Sequence, residues 1–182
     1  MGQNILVVVD MQNDFIDGAL GTKEAVSIVP RVAEKIRKFD GNVIYTRDTH
    51  EQNYLDTQEG RLLPVAHCIR GSDGWLLHPE IEALAGGADV VDKPTFGSAA
   101  LGELLREQNE RERVDSVTLV GLCTDICIIS NAMIVKAFLP EVAVKVDASC
   151  CAGVTPESHR RALDAMAVCQ IEIVRSLSNE EK

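Results

Sequence analysis

The chain reads as a three-layer α/β/α sandwich built on a mainly parallel, Rossmann-like six-stranded sheet. Apolar strand-like runs recur at about 5–9, 42–46, 88–92, 116–121, 142–147 and 171–174. Several are near-continuous, the pattern of strands buried on both faces. Segments of helical spacing separate them, and repeated strand–helix alternation gives parallel strands covered by helices.

The first run, Ile5 to Val9, ends at Asp10. Ala25, Val29, Val32 and Ile36 then line one face of a helix, with Pro30 marking either its start or a kink. After the second strand, the stretch from Thr46 to Leu84 has few regular features, and loops of that length in a compact domain are usually functional. It holds His50, His67 and His78. The third strand, Ala88 to Asp92, leads to a helix from Ser98 to about Glu110 that carries Leu101, Leu104 and Leu105. The fourth breaks at Gly121 and delivers cysteines to the start of a nearly buried helix over 125–138. Cys150 and Cys151 are expected after the fifth strand. In the last helix Thr155 caps, Pro156 suits the first position, Glu157 the first turn, and Ala162, Leu163 and Met166 face the core.

At 182 residues, 46% hydrophobic and 25% charged, the chain fits one soluble domain over 1–182. No apolar run approaches the roughly 18 residues a membrane span requires, and the N-terminus lacks a basic stretch followed by an apolar one, so a cytoplasmic protein is expected. A formal net charge of −10 without a long basic block argues against nucleic acid or an anionic membrane as partner. The expected ligand is small. Cys68, Cys123, Cys127, Cys150, Cys151 and Cys169 form no pair of Cys-x-x-Cys clusters, and most read as buried thiols.

In a parallel sheet the carboxyl ends of the strands share one edge, so Asp10, Asp48, Lys93 and Cys127 should gather there. An acid can take the thiol proton, a cation steadies the anions, and the thiolate attacks. A helix N-terminus beside the cysteine favours the thiolate. Taken singly, each has a plainer reading: Asp10 caps a loop, Lys93 is a solvated strand end, and Cys127 is core.

Three motifs occur in order: Asp10-Met11-Gln12-Asn13-Asp14-Phe15, Lys93-Pro94-Thr95-Phe96-Gly97-Ser98, and Gly121-Leu122-Cys123-Thr124-Asp125-Ile126-Cys127. Together they resemble the isochorismatase-like cysteine hydrolases over nearly the whole chain. The resemblance implies a catalytic triad of Asp10, Lys93 and Cys127, a cis peptide between Leu122 and Cys123, and an oxyanion hole from the backbone N–H groups of Cys123 and Cys127.

In Asp48-Thr49-His50, alternate residues of an extended segment point the same way, so Asp48 and His50 can face one ion. With His67 and Glu59 they offer ligands suited to zinc, manganese or iron. Glu51 and Asp56 compete with Glu59 for that place, and hydrogen-bonded histidines are the plainer reading of His50 and His67. The arrangement looks like that of the nicotinamidases, whose metal, zinc foremost, sits beside the triad and holds the pyridine nitrogen. Such enzymes often have an aromatic residue three positions before the second metal histidine, where this chain has Pro64. Phe15, Phe96 and Trp75 are the candidates for aromatic pocket surface.

The resemblance implies metal-assisted hydrolysis of nicotinamide to nicotinate and ammonia through a cysteine thioester, in NAD salvage, by a homo-oligomer. The other readings are an isochorismatase-like hydrolase of another amide or ureido compound, and an inactive metal-binding or redox-sensing relative with a Cys123–Cys127 disulfide. His78 reads as a loop or helix-entry residue, and His159 and Cys169 as structural.

Overall fold

The computed structural model describes residues 2–175. Among them β1 (Gln3–Val9), β2 (Asn42–Asp48), β3 (Asp89–Lys93), β4 (Val114–Leu122), β5 (Ala143–Ala152) and β6 (Glu172–Val174) form one all-parallel sheet. Its spatial order is β3-β2-β1-β4-β5-β6. The chain builds outward from β1 to β3, then crosses back to lay β4 against the other side of β1. Strand order therefore reverses between β1 and β4, where open α/β sheets place their ligands, beyond the carboxyl ends.

The helices are α1 (Asn13–Ile16), α2 (Lys23–Lys38), α3 (Gln58–Leu62), α4 (Pro79–Ala85), α5 (Ala99–Arg111), α6 (Ile129–Phe138) and α7 (Pro156–Val168). Alternate side chains of β1 feed two apolar layers, as strand geometry requires. Leu6 and Val8 pack with Ala25, Val29 and Val32 of α2 and Ile81 of α4. Ile5, Val7 and Val9 pack with Leu101 and Leu105 of α5, Val135 of α6 and Met166 of α7. The expected three-layer sandwich is thus present. No helix among the described residues is long and apolar enough to cross a membrane.

Short polar side chains set the helix starts. Thr22 accepts from the Ala25 N–H at 3.0 Å and Ser98 from the Leu101 N–H at 3.1 Å. Thr155 accepts from the Ser158 N–H at 3.1 Å, and the Ser158 hydroxyl in turn accepts from the Thr155 N–H at 3.1 Å, with Pro156 in the first turn. Each such cap contributes about 1 kcal/mol.

Three details differ from the sequence reading. Pro30 lies inside an unbroken α2 that Thr22 starts. It is on the exposed face, where water can serve the Val26 carbonyl that proline cannot. The fourth strand leads first into a π-helical turn, Thr124–Ile128, and only then into α6. Cys150 and Cys151 lie within β5, not after it.

Gly121 is paired with Val9 and has φ +118°, a conformation that favours glycine. A Cβ there would lie 2.1 Å from the Val9 carbonyl oxygen. Gly121→Ala is therefore expected to destabilise the protein by more than about 1 kcal/mol, read as a lower urea midpoint at unchanged slope.

Candidate active site

Beyond the carboxyl ends of β1 to β4 the sheet gathers the predicted residues. Asp10 follows β1 with φ +50°, a left-handed conformation that aspartate tolerates better than most residues. The segment is held by the Asp10 N–H donating to the Thr46 carbonyl at 3.2 Å. The Thr46 hydroxyl donates to Asp10 Oδ1 at 2.6 Å. Asp48 and Lys93 end the paired strands β2 and β3, register-matched to each other. Cys127 is carried by the π turn after β4, and the Leu122–Cys123 peptide is cis, as expected.

Lys93 is completely buried, which excludes the solvated strand-end reading. Its ammonium lies 2.7 Å from Asp10 Oδ2, in an ion pair whose approach is not that of an aligned hydrogen bond. It donates to Asp48 Oδ1 at 3.2 Å, to the Thr95 carbonyl at 3.2 Å and to Cys127 Sγ at 3.4 Å. Burial opposes its charge, but Asp10, Cys127 and Asp48 outweigh that and hold it well above the ordinary lysine range. Burial raises the Asp10 carboxyl against the pull of Lys93. Burial, with the Asp10 charge added, raises the Cys127 thiol against the same ammonium. A thiol of raised proton affinity thus lies beside a carboxylate whose own proton affinity is raised. Chemically, a carboxylate so placed can accept a proton from the neighbouring thiol.

The second cluster shares Asp48. Asp48 Oδ2 lies 2.9 Å from His50 Nε2 and 3.6 Å from His67 Nε2, and Glu59 Oε1 lies 3.5 Å from His50 Nε2. Burial alone would raise Asp48, yet the adjacent imidazoles of His50 and His67 and the charge of Lys93 hold it well below the usual carboxylate range. The His67 Nδ1–H donates to the Val65 carbonyl at 2.8 Å, which leaves Nε2 as the free lone pair toward the cluster. Of the competing acids, Glu51 pairs with Arg70 at 3.0 Å and Asp56 is exposed, so Glu59 is the one brought in.

These donors fit a divalent transition metal. All four ligand atoms lie within 4.8 Å of one another, and the acid–imidazole separations of 2.9, 3.5 and 3.6 Å bracket the roughly 3.4 Å between tetrahedral ligands at bonds of about 2.1 Å. His50 Nε2 is buried without a hydrogen-bond partner, the condition of a nitrogen that a cation would satisfy.

A cavity of about 220 Å³ opens between the clusters. Phe15, Phe96, Leu63 and Ile126 line it, with Asp48, Glu59, His67 and Cys127 as polar groups. Among the described residues its lining contains no arginine or lysine. Trp75 is not part of it. Its indole N–H donates to Thr49 Oγ1 at 2.8 Å, and the Arg47 guanidinium stacks 3.8 Å from its ring, so it braces the back of β2. Pro64 leaves the wall to its neighbour Leu63. The Tyr54 ring packs 4.5 Å from His50 and 4.9 Å from His67.

His78 caps α4, accepting from the Glu80 N–H at 3.4 Å, and His159 Nδ1 lies 2.8 Å from the Thr124 hydroxyl. Both are thus structural. Burial pushes the Cys123 thiol up to about 12, and Cys123 and Cys127 are free thiols. Sequence reasoning missed the supports. Asn131 accepts from the Ser98 N–H at 2.9 Å and donates to the carbonyls of Phe96 at 3.0 Å and Cys127 at 2.8 Å. A polar residue in so apolar a helix was the visible sign of that role.

The isochorismatase domain family matches residues 4–176. The nicotinamidase/pyrazinamidase of Mycobacterium tuberculosis is 27% identical over 185 residues, covering 94% of this chain and 98% of that protein. The pyrazinamidase of Pyrococcus horikoshii, solved in complex with zinc, superposes with a TM-score of 0.78 at 28% identity, covering 95% of this chain and 99% of that one. The pyrazinamidase/nicotinamidase of Streptococcus mutans gives 0.81 at 26%, covering 94% and 99%.

Lys93→Met would leave Asp10 and Asp48 buried without their cation, a loss of about 3–5 kcal/mol at neutral pH. Asp10, which has no other cation beside it, would then have a folded-state proton affinity still further above its unfolded one. The deficit is therefore full above the folded pKa and shrinks as pH falls toward about 4. Chemical denaturation of both proteins from pH 8 to pH 4 checks the size and the sign.

Proposed function

The chain belongs to the isochorismatase family, and from that premise we propose that it is a metal-dependent nicotinamidase. It hydrolyses nicotinamide to nicotinate and ammonia through a thioester on Cys127. The observation that carries the reading is the single carboxylate of Asp48, which joins the Asp10–Lys93–Cys127 cluster to the His50–Glu59–His67 cluster beside one cavity.

The cavity supports a small neutral ring. Its volume of about 220 Å³ lies below the roughly 300–1,000 Å³ of drug-sized sites. Apolar walls suit a flat aromatic ring. Carboxylates in the lining, without a cation to answer a phosphate or carboxylate group, disfavour nucleotides and dicarboxylates. The same polarity favours release of an anionic product.

Asp10 takes the Cys127 proton, and the thiolate attacks the carboxamide carbon. The oxyanion of the tetrahedral intermediate rests on the backbone N–H groups of Cys123 and Cys127. Asp10 returns its proton to the departing nitrogen, ammonia leaves, and the acyl group remains on sulfur. Asp10 then takes a proton from water, hydroxide attacks the thioester, and Cys127 leaves as thiolate and recovers a proton from Asp10. Lys93 holds the carboxylate and thiolate charges throughout. When bound to Asp48, His50, Glu59 and His67, a divalent transition metal, with zinc the first candidate and manganese or iron next, supplies a Lewis acid that can anchor a pyridine nitrogen. The setting proposed for this activity is NAD salvage in the cytoplasm.

Ammonia release from nicotinamide and from pyrazinamide tests the reading. The purified protein is expected to turn over nicotinamide, to lose activity on chelation and to regain it with zinc, manganese or iron. Cys127→Ala should reduce release by at least about a thousandfold while leaving the circular dichroism spectrum unchanged. Substantial turnover by that variant would sink the cysteine mechanism.

A further inference from the structure

The metal-ligand segments are irregular. β2 ends at Asp48, and His50 and His67 lie beyond it in the long connection to α4. One short stretch after β1 ties them down. The Gln12 side chain is fully buried, and its amide acts as an extra peptide group beside β2. Its Oε1 accepts from the Asp48 N–H at 2.7 Å, and its Nε2 donates to the Asp48 carbonyl at 2.8 Å and to the Trp75 carbonyl at 2.8 Å. The β1–β2 ladder stops at Val9 and Thr46, so this side chain continues the pairing where backbone cannot. Both main-chain groups of the ligand carboxylate's own residue are thereby fixed.

Asp14 does the corresponding work for the histidines. Its Oδ2 accepts from the Cys68 N–H at 2.7 Å, next to His67, where the chain turns through φ +46°. The His50 N–H donates to the carbonyl of that same Cys68 at 3.0 Å. Gly74 leaves room for the carboxylate, since a Cβ there would lie 2.1 Å from Asp14 Oδ2. Neither Gln12 nor Asp14 belongs to the four-ligand cluster.

We propose that Gln12 and Asp14 are positioning residues that set the metal affinity of the Asp48–His50–Glu59–His67 cluster, by holding its backbone segments at ligating separation. The inference rests on the metal reading of that cluster. Groups that orient metal ligands commonly carry a ten- to hundredfold share of affinity.

The test is the zinc dissociation constant, measured by competition with a chromogenic chelator, on the full chain and on Gln12→Met, Asp14→Ala and Asp14→Asn. Thermal unfolding in excess chelator is recorded alongside, to show that each metal-free variant folds. Gln12→Met and Asp14→Ala are expected to weaken zinc ten- to hundredfold. Asp14→Asn, which keeps an oxygen to accept from Cys68, should stay within about threefold of wild type. If Gln12→Met does not fold, the Asp14 pair decides. Unchanged zinc affinity in folded Asp14→Ala, or equal losses in Asp14→Ala and Asp14→Asn, would overturn the positioning role. A wild-type chain that binds no zinc, manganese or iron would overturn the metal reading and this inference with it.

Discussion

One buried ammonium organises the centre of this protein. Lys93 Nζ reaches Asp10, Asp48, Thr95 and Cys127, which come from four segments of the chain. An isolated ammonium at that depth would shed its proton, and isolated carboxylates beside it would keep theirs. Held together they sustain one another's charge. Their positions are consequently interdependent, because a displacement of any one strand end exposes an uncompensated charge to a low-dielectric interior.

Asp48 extends that dependence outward. One of its oxygens answers Lys93 and the other faces two imidazoles, so a single carboxylate belongs to both electrostatic neighbourhoods. The two clusters cannot be tuned separately. A change in charge on the histidine side alters the field at Lys93, and through it the proton affinities of Asp10 and Cys127. Tyr54 contributes without charge. Burial, with Glu59 and Asp48 nearby, pushes its phenol up to about 12, and its neutral hydroxyl donates to the Leu63 carbonyl at 3.0 Å.

Much of this was legible in the sequence because it follows from periodicity and from strand ends. Near-continuous apolar runs announced strands covered on both faces, and Ser98 and Thr155 obeyed local capping rules. The four charged and thiol groups could be brought to one edge by topology alone. What stayed hidden depends on contacts distant in sequence. Pro30 looked like a boundary because its compatibility with α2 rests on an exposed face that only packing defines. Trp75 looked like pocket lining because aromatic character does not reveal which side of β2 it braces. Gln12 and Thr46 work through hydrogen bonds to residues at least 36 positions away, and residue type carries no trace of such a partner.

The order in which the chain lays down its sheet has a consequence for how the site comes into being. Asp10, Asp48, Lys93 and Cys127 hang from β1, β2, β3 and the turn after β4, and every pairing among these strands is parallel and bridged by a long crossover. No hairpin can bring two of them together early, so loop-closure entropy weighs against each encounter. A chain with only some strands docked has no ammonium with all its anions. Its acids remain hydrated, and dehydration of each coincides with the arrival of its partners.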